Sequence, residues 1–327
     1  MAESYPPVPS LRLVMLANGP FAASTFNALF HTRRHSVAGL VTRPAKPVHS
    51  RKAEQPSPLM MIAEKHQTPV WSPEDINTAE SQARLAEWRP DLLVVCDYGQ
   101  ILSPATLAVP RLGGINLHAS LLPKYRGAAP INWAIYHGEE TTGVTVIHMT
   151  PSLDAGPCLA QVSTAIESDE TAGELEPRLA ALGAPAVIGV INQLATGTTE
   201  SLPQDPALAT KARRLRKSDG ELDWSRPAAA LRCQVRAFEP WPKSFTSWLR
   251  PEQEPLRLIV GRTQVVPWTG CPVPGTVLEA GSSGILVAAG EGALQIETLQ
   301  PAGRRMMSAD EFLRGQSLKA GDLLGAG

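Results

Sequence analysis

The chain has 327 residues and a formal net charge of −1, with 43% hydrophobic and 19% charged residues. Two domains with separate cores fit this length, and the composition excludes a disordered or fibrous chain. Residues 1–10 are polar and no uninterrupted apolar run reaches about 18 residues, so neither export nor a membrane partner is expected. The four cysteines lie far apart without Cys-x-x-Cys spacing, which predicts reduced thiols in a cytoplasmic protein.

The two parts of the chain differ in charge. Residues 1–209 contain 14 Lys and Arg against 19 Asp and Glu, a net −5, whereas residues 210–327 contain 16 against 12, a net +4. This basic excess supports a polyanionic partner only weakly, because phosphate contacts need local positive charge. Residues 211–217 place five cations within seven residues and are the densest such cluster in the C-terminal part.

Apolar runs of strand length alternate with segments of helical spacing through the first 170 residues. The sequence predicts strands at 11–17, 37–42, 91–96, 114–118, 142–149 and 158–166, and helical segments at 21–29, 58–66, 79–88 and from 171 towards 194. Thr171 and Glu174 offer a capping box for the last of these helices, and Pro177 and Pro185 must kink or interrupt it. This order favours an α/β fold with a doubly wound, mostly parallel, Rossmann-like sheet. No Gly-x-Gly-x-x-Gly follows the first strand, so no dinucleotide is expected.

The pattern changes after a stretch rich in Thr, Ser, Pro and Asp. We therefore predict a first domain over 1–200, a linker over 201–210 and a second domain over 211–327. In the second domain one helical run, 228–238, precedes short strand-like runs separated by Gly and Pro turns, which favours a small β-barrel. These runs are 245–249, 256–260, 275–278, 284–288 and 293–299.

The segment from Gly113 to Pro130 contains the strongest candidate site. Asn116 and His118 are two residues apart at the end of a predicted strand, so their side chains share one face. A loop follows and leads to Pro130, which opens a run of helical spacing. Open α/β sheets bind ligands at such strand ends. Taken alone, an Asn-x-His pair is more often a turn residue beside a half-buried histidine.

The longer string decides between these readings. Asn-Leu-His-Ala-Ser-Leu-Leu-Pro-Lys-Tyr-Arg-Gly-Ala-Ala-Pro-Ile at 116–131, followed by Gly-Val-Thr at 143–145 and Leu-Asp-Ala-Gly at 153–156, resembles the signature of the 10-formyltetrahydrofolate-dependent formyltransferases. Further motifs between 223 and 315 resemble that family's OB-like C-terminal domain. The resemblance extends from about residue 11 to residue 315. One departure is the first loop, Ala-Asn-Gly-Pro-Phe-Ala at 17–22, where the family usually has Gly-Thr-Pro-x-Phe.

The resemblance implies three catalytic residues, Asn116, His118 and Asp154. Formyl transfer to an amine builds negative charge on the formyl oxygen, and the Asn116 amide can donate to it. His118 can assist that oxygen or relay the amine's proton, and Asp154 would orient the imidazole and favour its cationic form. Sequence spacing cannot show that Asp154 lies near the other two; that contact is implied by the resemblance alone.

The resemblance also implies two groups of binding residues, although composition alone would make them surface loops. For 10-formyltetrahydrofolate these are Ser120, Leu121, Leu122 and Pro123, with backbone groups of Tyr98, Gly99 and Gln100 beside the pterin. For tRNA they are Lys46, Arg51 and Lys52 in a basic, proline-rich loop at 42–58, and Arg126. The sequence offers no metal-ligand cluster and no P-loop, so no metal is expected.

Three functions agree with these observations. The first is transfer of the formyl group of 10-formyltetrahydrofolate to the amino group of methionyl initiator tRNA, by a monomer. The second is the same chemistry on an amino sugar nucleotide or another small amine, or a formate-releasing hydrolase. The third is a non-catalytic RNA-binding protein on a retained fold, which would not require Asn116, His118 and Asp154 together. The residues at 127–131 and 153–154 resemble those of the family members that act on tRNA more than those of the sugar enzymes, and this resemblance favours the tRNA substrate.

Overall fold

The computed structural model describes residues 9–44, 57–251, 253–270 and 272–325. The chain divides into two compact units, each built from three separate segments that alternate along the sequence. The first comprises Met1–Pro130, Thr141–Ala165 and Glu176–Arg213, and the second Ile131–Glu140, Ile166–Leu175 and Arg214–Gly327.

Strands and helices alternate through the first two thirds of the chain, as the hydrophobic pattern predicts. In chain order they are β1 Arg12–Ala17, α1 Phe21–His31, β2 Ser36–Val41, α2 Pro58–Lys65, β3 Val70–Trp71, α3 Ala79–Glu87, β4 Leu92–Cys96, α4 Pro104–Leu107, β5 Gly114–His118, β6 Arg126–Gly127, α5 Pro130–Tyr136, β7 Thr141–His148, β8 Cys158–Ala165, α6 Ala172–Thr196 and β9 Lys211–Ala212.

The main sheet of the first unit has the strand order β3-β2-β1-β4-β5-β7-β8. Strands β1 to β5 of this sheet run parallel, whereas β7 pairs antiparallel with β5 and β8 antiparallel with β7. β4 is buried along its whole length, which agrees with an uninterrupted apolar run covered on both faces. The predicted doubly wound, mostly parallel sheet is confirmed, with an antiparallel edge.

The strand order reverses direction between β1 and β4, and this point locates the ligand crevice. Open α/β sheets bind ligands outside the carboxyl ends of the strands at such a switch point. The loops at 18–20 and 97–100 leave β1 and β4 there, and β5 ends beside β4 at His118. Three loops that the sequence singles out therefore start at one edge of the sheet.

Helix α6 begins with the predicted capping box. The Glu174 backbone N–H donates to Thr171 Oγ1 at 3.3 Å, and the Thr171 N–H donates to Glu174 Oε2 at 2.9 Å. Pro177 and Pro185 lie inside the helix but do not interrupt it, contrary to one alternative in the sequence reading; each removes only one backbone hydrogen bond. By length and a mean hydropathy of 1.5, α6 could cross a membrane, although core helices of soluble proteins share these properties.

The second unit is built mainly from antiparallel strands around one core. Its later elements are α7 Ala228–Ala237, β10 Ser244–Leu249, β11 Leu256–Val260, β12 Thr263–Val266, β13 Val277–Gly281, β14 Gly284–Ala288, β15 Ala293–Ile296, β16 Thr298–Pro301, β17 Met307–Ser308, α8 Ala309–Gly315 and β18 Leu323–Gly325. They form two sheets, β17-β16-β11-β10-β18 and β12-β15-β14-β13. Buried residues from both sheets share one cluster, so the predicted barrel-like domain is confirmed.

Candidate active site

His118 is held at the end of β5 with only 6% of its surface exposed. Its Nε2 lies 2.8 Å from the backbone oxygen of Tyr125. A carbonyl oxygen can only accept a hydrogen bond, so Nε2 carries the proton in this contact. Nδ1 faces Asp154 Oδ2 at 3.7 Å. The backbone therefore fixes the imidazole so that its other nitrogen points to a carboxylate.

Asp154 joins the two strand-end side chains that the sequence singles out. Its Oδ2 accepts a hydrogen bond from the Gly127 backbone N–H at 2.9 Å, and its Oδ1 lies 3.5 Å from Asn116 Nδ2. The structure thus brings Asn116, His118 and Asp154 together. Asp154 has a φ of +49°, a left-handed conformation that Asp tolerates better than most residues.

Gly127 is required by the backbone on its other side. Its φ of +125° is rarely adopted by residues with a side chain, and a Cβ there would lie 2.4 Å from the Ala212 oxygen. This close approach arises because β6 pairs parallel with β9. Only glycine at position 127 permits β9 to approach while the same N–H holds Asp154.

The predicted folate-binding loop is tied to β7 and β8. Thr145 Oγ1 donates to the Ser120 oxygen at 2.7 Å and accepts from the Leu122 N–H at 3.1 Å. Gln161 Nε2 donates to the Leu122 oxygen at 3.0 Å. Sequence reasoning did not identify Thr145 or Gln161 as supporting residues. Thr145 is fully buried on β7, and because a buried hydroxyl needs a hydrogen-bond partner, its two contacts with the loop satisfy it.

The predicted pterin-binding segment offers backbone groups and not side chains. Tyr98 is 2% exposed and packs in the core with Val14 and Leu16. Burial raises the pKa of its phenol to about 12. Gln100 uses its side chain to accept from the Ile76 N–H at 3.1 Å and to donate to the Glu74 oxygen at 3.1 Å. Both side chains therefore shape the loop, which leaves its backbone as the group that a flat heterocycle can contact.

The unusual first loop makes room for a carboxylate. A Cβ on Gly19 would lie 1.8 Å from Asp97 Oδ2, so this carboxylate occupies the space that a side chain at position 19 needs. The protein around the crevice removes water from Asp97 and raises its pKa, although part of the residue stays open to solvent. The pKa of Glu176 is also raised, mainly by burial and further by the charge of Asp97.

The raised pKa values of Asp97 and Glu176 predict that the stability of the protein depends on pH. Because their pKa values are raised on folding, the protonated forms favour the native state, and this contribution is lost as pH rises through the raised values. Asp97→Asn is therefore expected to raise the melting temperature at neutral pH and to change it little below about pH 3, where the carboxyl is mostly protonated in both the folded and the unfolded state. Thermal unfolding across a pH series measures this. Glu200→Gln, at an exposed position, is the control; an equal gain in both variants would contradict the assignment.

The predicted tRNA-binding residues fall into two groups. Arg126 is half-buried, and its guanidinium donates to Gln204 Oε1 from Nε at 3.0 Å and from Nη2 at 2.7 Å. Gln204 lies in the predicted linker and was not singled out from the sequence. Lys46, Arg51 and Lys52 lie outside the described residues, so their role stays a prediction.

In the parts of the chain that the structure describes, no set of three or more His, Cys, Asp or Glu residues is placed to hold a metal ion. Cys96, Cys158 and Cys233 are free thiols, and Cys271 lies outside the described residues.

The sheet order, the crevice at its carboxyl edge and the cluster of Asn116, His118 and Asp154 are typical of an enzyme. Comparison with family profiles shows which family of enzymes this is. The formyl transferase profile matches residues 11–191, and the formyl transferase C-terminal domain profile matches residues 214–317. The chain belongs to the formyl transferase family.

Two bacterial proteins are similar to almost the whole length of the chain. A methionyl-tRNA formyltransferase of Rhodopirellula baltica is 45% identical, over 96% of this chain and 97% of its own length. A methionyl-tRNA formyltransferase of Pseudomonas paraeruginosa is 44% identical, over 96% of this chain and all of its own, 100%.

Solved structures share the fold at low sequence identity. HypX of Aquifex aeolicus, in complex with tetrahydrofolic acid, matches 93% of this chain with a TM-score of 0.60 and 14% identity, and this chain spans 46% of it. An N-formyltransferase of Helicobacter canadensis, in complex with folinic acid and dTDP-3-aminofucose, matches 88% of this chain and 98% of its own with a TM-score of 0.62 and 16% identity.

Proposed function

We propose that this protein transfers the formyl group of 10-formyltetrahydrofolate to the free amino group of methionyl initiator tRNA. The observation that carries the proposal is the convergence of Asn116, His118 and Asp154 at the carboxyl edge of the sheet. Near-full-length relatives named methionyl-tRNA formyltransferases support the choice of substrate.

The geometry supports a role for each of the three side chains. Asn116 donates from Nδ2 to the formyl oxygen as negative charge develops there, a contribution of about 3 kcal/mol for such a donor. The amine nitrogen bonds to the formyl carbon, the bond from that carbon to folate N10 breaks, and the amine loses a proton. Since His118 Nε2 is committed to the Tyr125 oxygen, Nδ1 is the atom that takes this proton and later returns it to N10. Asp154 stabilises the imidazolium formed between these events.

The folate would bind in the crevice between the loops after β1, β4 and β5. A flat pterin needs backbone donors and acceptors on its edge and apolar contact on its faces. The backbone of Tyr98 to Gln100 supplies the first, and the Ser120–Pro123 loop with its two leucines supplies the second. Both segments are held rigidly by buried side chains, Tyr98 in the core and Thr145 beneath the loop. Rigid support of this kind lowers the entropic cost of binding.

We assign tRNA binding to residues 211–327, preceded by the linker at 201–210, because this part of the chain carries the basic excess. Barrels of short antiparallel strands commonly bind nucleic acids. The protein would act in the cytoplasm as a monomer, without a membrane partner.

One incubation separates the proposed substrate from the rival one. The purified protein is mixed with 10-formyltetrahydrofolate and radiolabelled methionyl initiator tRNA, and in parallel with an amino sugar nucleotide. We expect N-formylmethionyl-tRNA from the first mixture and no formylated sugar from the second. Formylation of the sugar alone would retain the folate chemistry and refute the tRNA substrate, and free formate alone would indicate a hydrolase.

Lys46→Ala tests the basic loop. We expect the KM for tRNA to rise several-fold at moderate salt while the KM for folate stays unchanged, because one phosphate contact is lost. The dependence of log KM on log salt should become shallower by about one unit, as for the loss of one released counterion. Lys65→Ala, an exposed cation at the end of α2, is the matched control. Unchanged tRNA kinetics across the salt series would remove Lys46 from the interface.

A further inference from the structure

The segment predicted as a linker is hydrogen-bonded at both of its ends to other residues of the first unit. The Leu202 and Cys158 backbones exchange two hydrogen bonds, of 2.8 and 2.9 Å. Near residue 210 the Tyr125 N–H donates to Thr210 Oγ1 at 2.8 Å, and the Arg126 N–H donates to the Thr210 oxygen at 2.9 Å. Residues 202–212 therefore form a strap, attached at one end to Cys158, where β8 begins directly after the Asp154 loop, and at the other end to the loop after His118.

Gln204 is the strap residue that reaches between these two loops. Its Nε2 donates to the Asp154 oxygen at 2.8 Å and to the Gly156 oxygen at 2.7 Å. Its Oε1 accepts both guanidinium bonds of Arg126. A glutamine amide has two N–H donors and two lone pairs on its oxygen, so all of its capacity is used. The flanking Pro203 and Asp205 are exposed, whereas Gln204 is half-buried.

The four bonds act on the two groups that orient the Asp154 carboxylate. One is the Asp154 backbone itself, whose left-handed conformation needs support from its surroundings. The other is the Gly127 N–H, which donates to Asp154 Oδ2 and directly follows Arg126 in the chain. The Gln204 side-chain amide thus sets the distance between the Gly127 N–H and the Asp154 carboxylate that accepts its hydrogen bond.

We propose that Gln204 is a positioning residue for formyl transfer, which rests on the function proposed above. It acts by fixing Asp154 against His118 Nδ1 and contacts no reacting atom. The four hydrogen bonds of Gln204 form a brace between Arg126 and the Asp154 loop. Because misplacement of a catalytic group by about 1 Å costs on the order of 100-fold in rate, loss of the brace should have an effect of about this size. The strap is therefore part of the active-site structure and not only a connection.

Two variants separate the Asp154 side of the brace from the Arg126 side. Gln204→Glu keeps oxygen acceptors for Arg126 but places oxygens against the carbonyls of Asp154 and Gly156. Gln204→Met keeps the length and loses both sets of bonds. If the brace positions Asp154, both variants should lower kcat by about 10- to 100-fold with little change in the KM for folate. Gln193→Met, on an exposed position of α6, should leave kcat unchanged.

A second readout needs no substrate and so stands apart from the proposed function. In protein labelled with ¹⁵N-glycine, the Gly127 amide proton reports its bond to Asp154 Oδ2. We expect this resonance to move upfield in Gln204→Glu and Gln204→Met, and to stay in place in Gln193→Met. An unmoved Gly127 resonance, or a Gln204→Glu enzyme with wild-type kcat, would overturn the proposal. Absence of tRNA formylation by the wild-type protein would instead refute the proposed function and leave the resonance test valid.

Discussion

Asn116→Ala is expected to lower kcat for formyl transfer by about 100- to 1,000-fold, the usual loss when one oxyanion donor is removed. The KM for folate should change little, because the lost interaction forms mainly as charge develops on the formyl oxygen. Folding should be nearly unaffected, since Asn116 is half-buried and its side-chain contact is the 3.5 Å approach to Asp154. Steady-state kinetics and thermal unfolding of the same preparation measure both effects.

Asn192→Ala provides the matched control for this variant. Asn192 lies on α6 and its Oδ1 pairs with His35 Nε2 at 3.2 Å. Its loss should cost about 1 kcal/mol of stability, typical of one hydrogen bond, without lowering kcat. Asn116→Ala should therefore lose activity and keep its stability, whereas Asn192→Ala should lose stability and keep its activity. An Asn116→Ala enzyme with nearly wild-type kcat would remove this residue from the mechanism.

Asp154→Asn is expected to lower kcat by about 100- to 10,000-fold, since an amide of the same shape cannot balance the charge of an imidazolium. The asparagine oxygen can still accept from the Gly127 N–H, so the loop should keep its conformation. The loss should therefore appear in kcat and not in the melting temperature. Initial rates at saturating folate and tRNA, together with a melting curve, provide the measurement.

Asp205→Asn is the control for removing a carboxylate in the same part of the chain. Asp205 accepts from the Ala207 N–H at 2.9 Å at the start of a short 3-10 helix, Pro206–Leu208. We expect its activity to match that of the wild-type protein. If Asp154→Asn were equally active, the carboxylate beside His118 would be structural, and the imidazole would need no charged partner during transfer.

The parts of the fold that the sequence predicts are those with a long, regular pattern. β4 can be read directly from the sequence because a strand covered on both faces requires an unbroken apolar run, whereas β5 is recognised by its alternation of apolar and polar residues. The shared face of Asn116 and His118 follows from the two-residue period of a strand. The position of α6 follows from its capping box and its apolar spacing.

Short elements were missed because they contain too few residues for a period. β3 has 2 residues and β18 has 3, and α8 has 7 with its N-cap at Ser308. The single apolar run predicted at 293–299 is two strands in the structure, β15 and β16, which belong to different sheets. A continuous hydrophobic run cannot reveal that the chain changes sheets partway along it.

The site shows the same division between local and distant contacts. Neighbouring residues in one strand predict a shared face, but no spacing rule connects Asp154 to β5 or Gln204 to Asp154. Those contacts depend on how β7, the loop after it and the strap fold back on the sheet. The composition of residues 201–210 is typical of a linker, and nothing in it marks the side chain at position 204 as half-buried.

A double-mutant cycle on Asn116 and Asp154 tests most directly whether the cluster works as one catalytic unit. Single-turnover rates of formyl transfer would be measured for the wild-type protein, Asn116→Ala, Asp154→Asn and the double variant. Residues that act as a unit lose nearly all of their effect when either is removed. We predict that the double variant is about as slow as the slower single variant. Rate losses that multiply across the two substitutions would show that the residues act independently, and would contradict this account of the site.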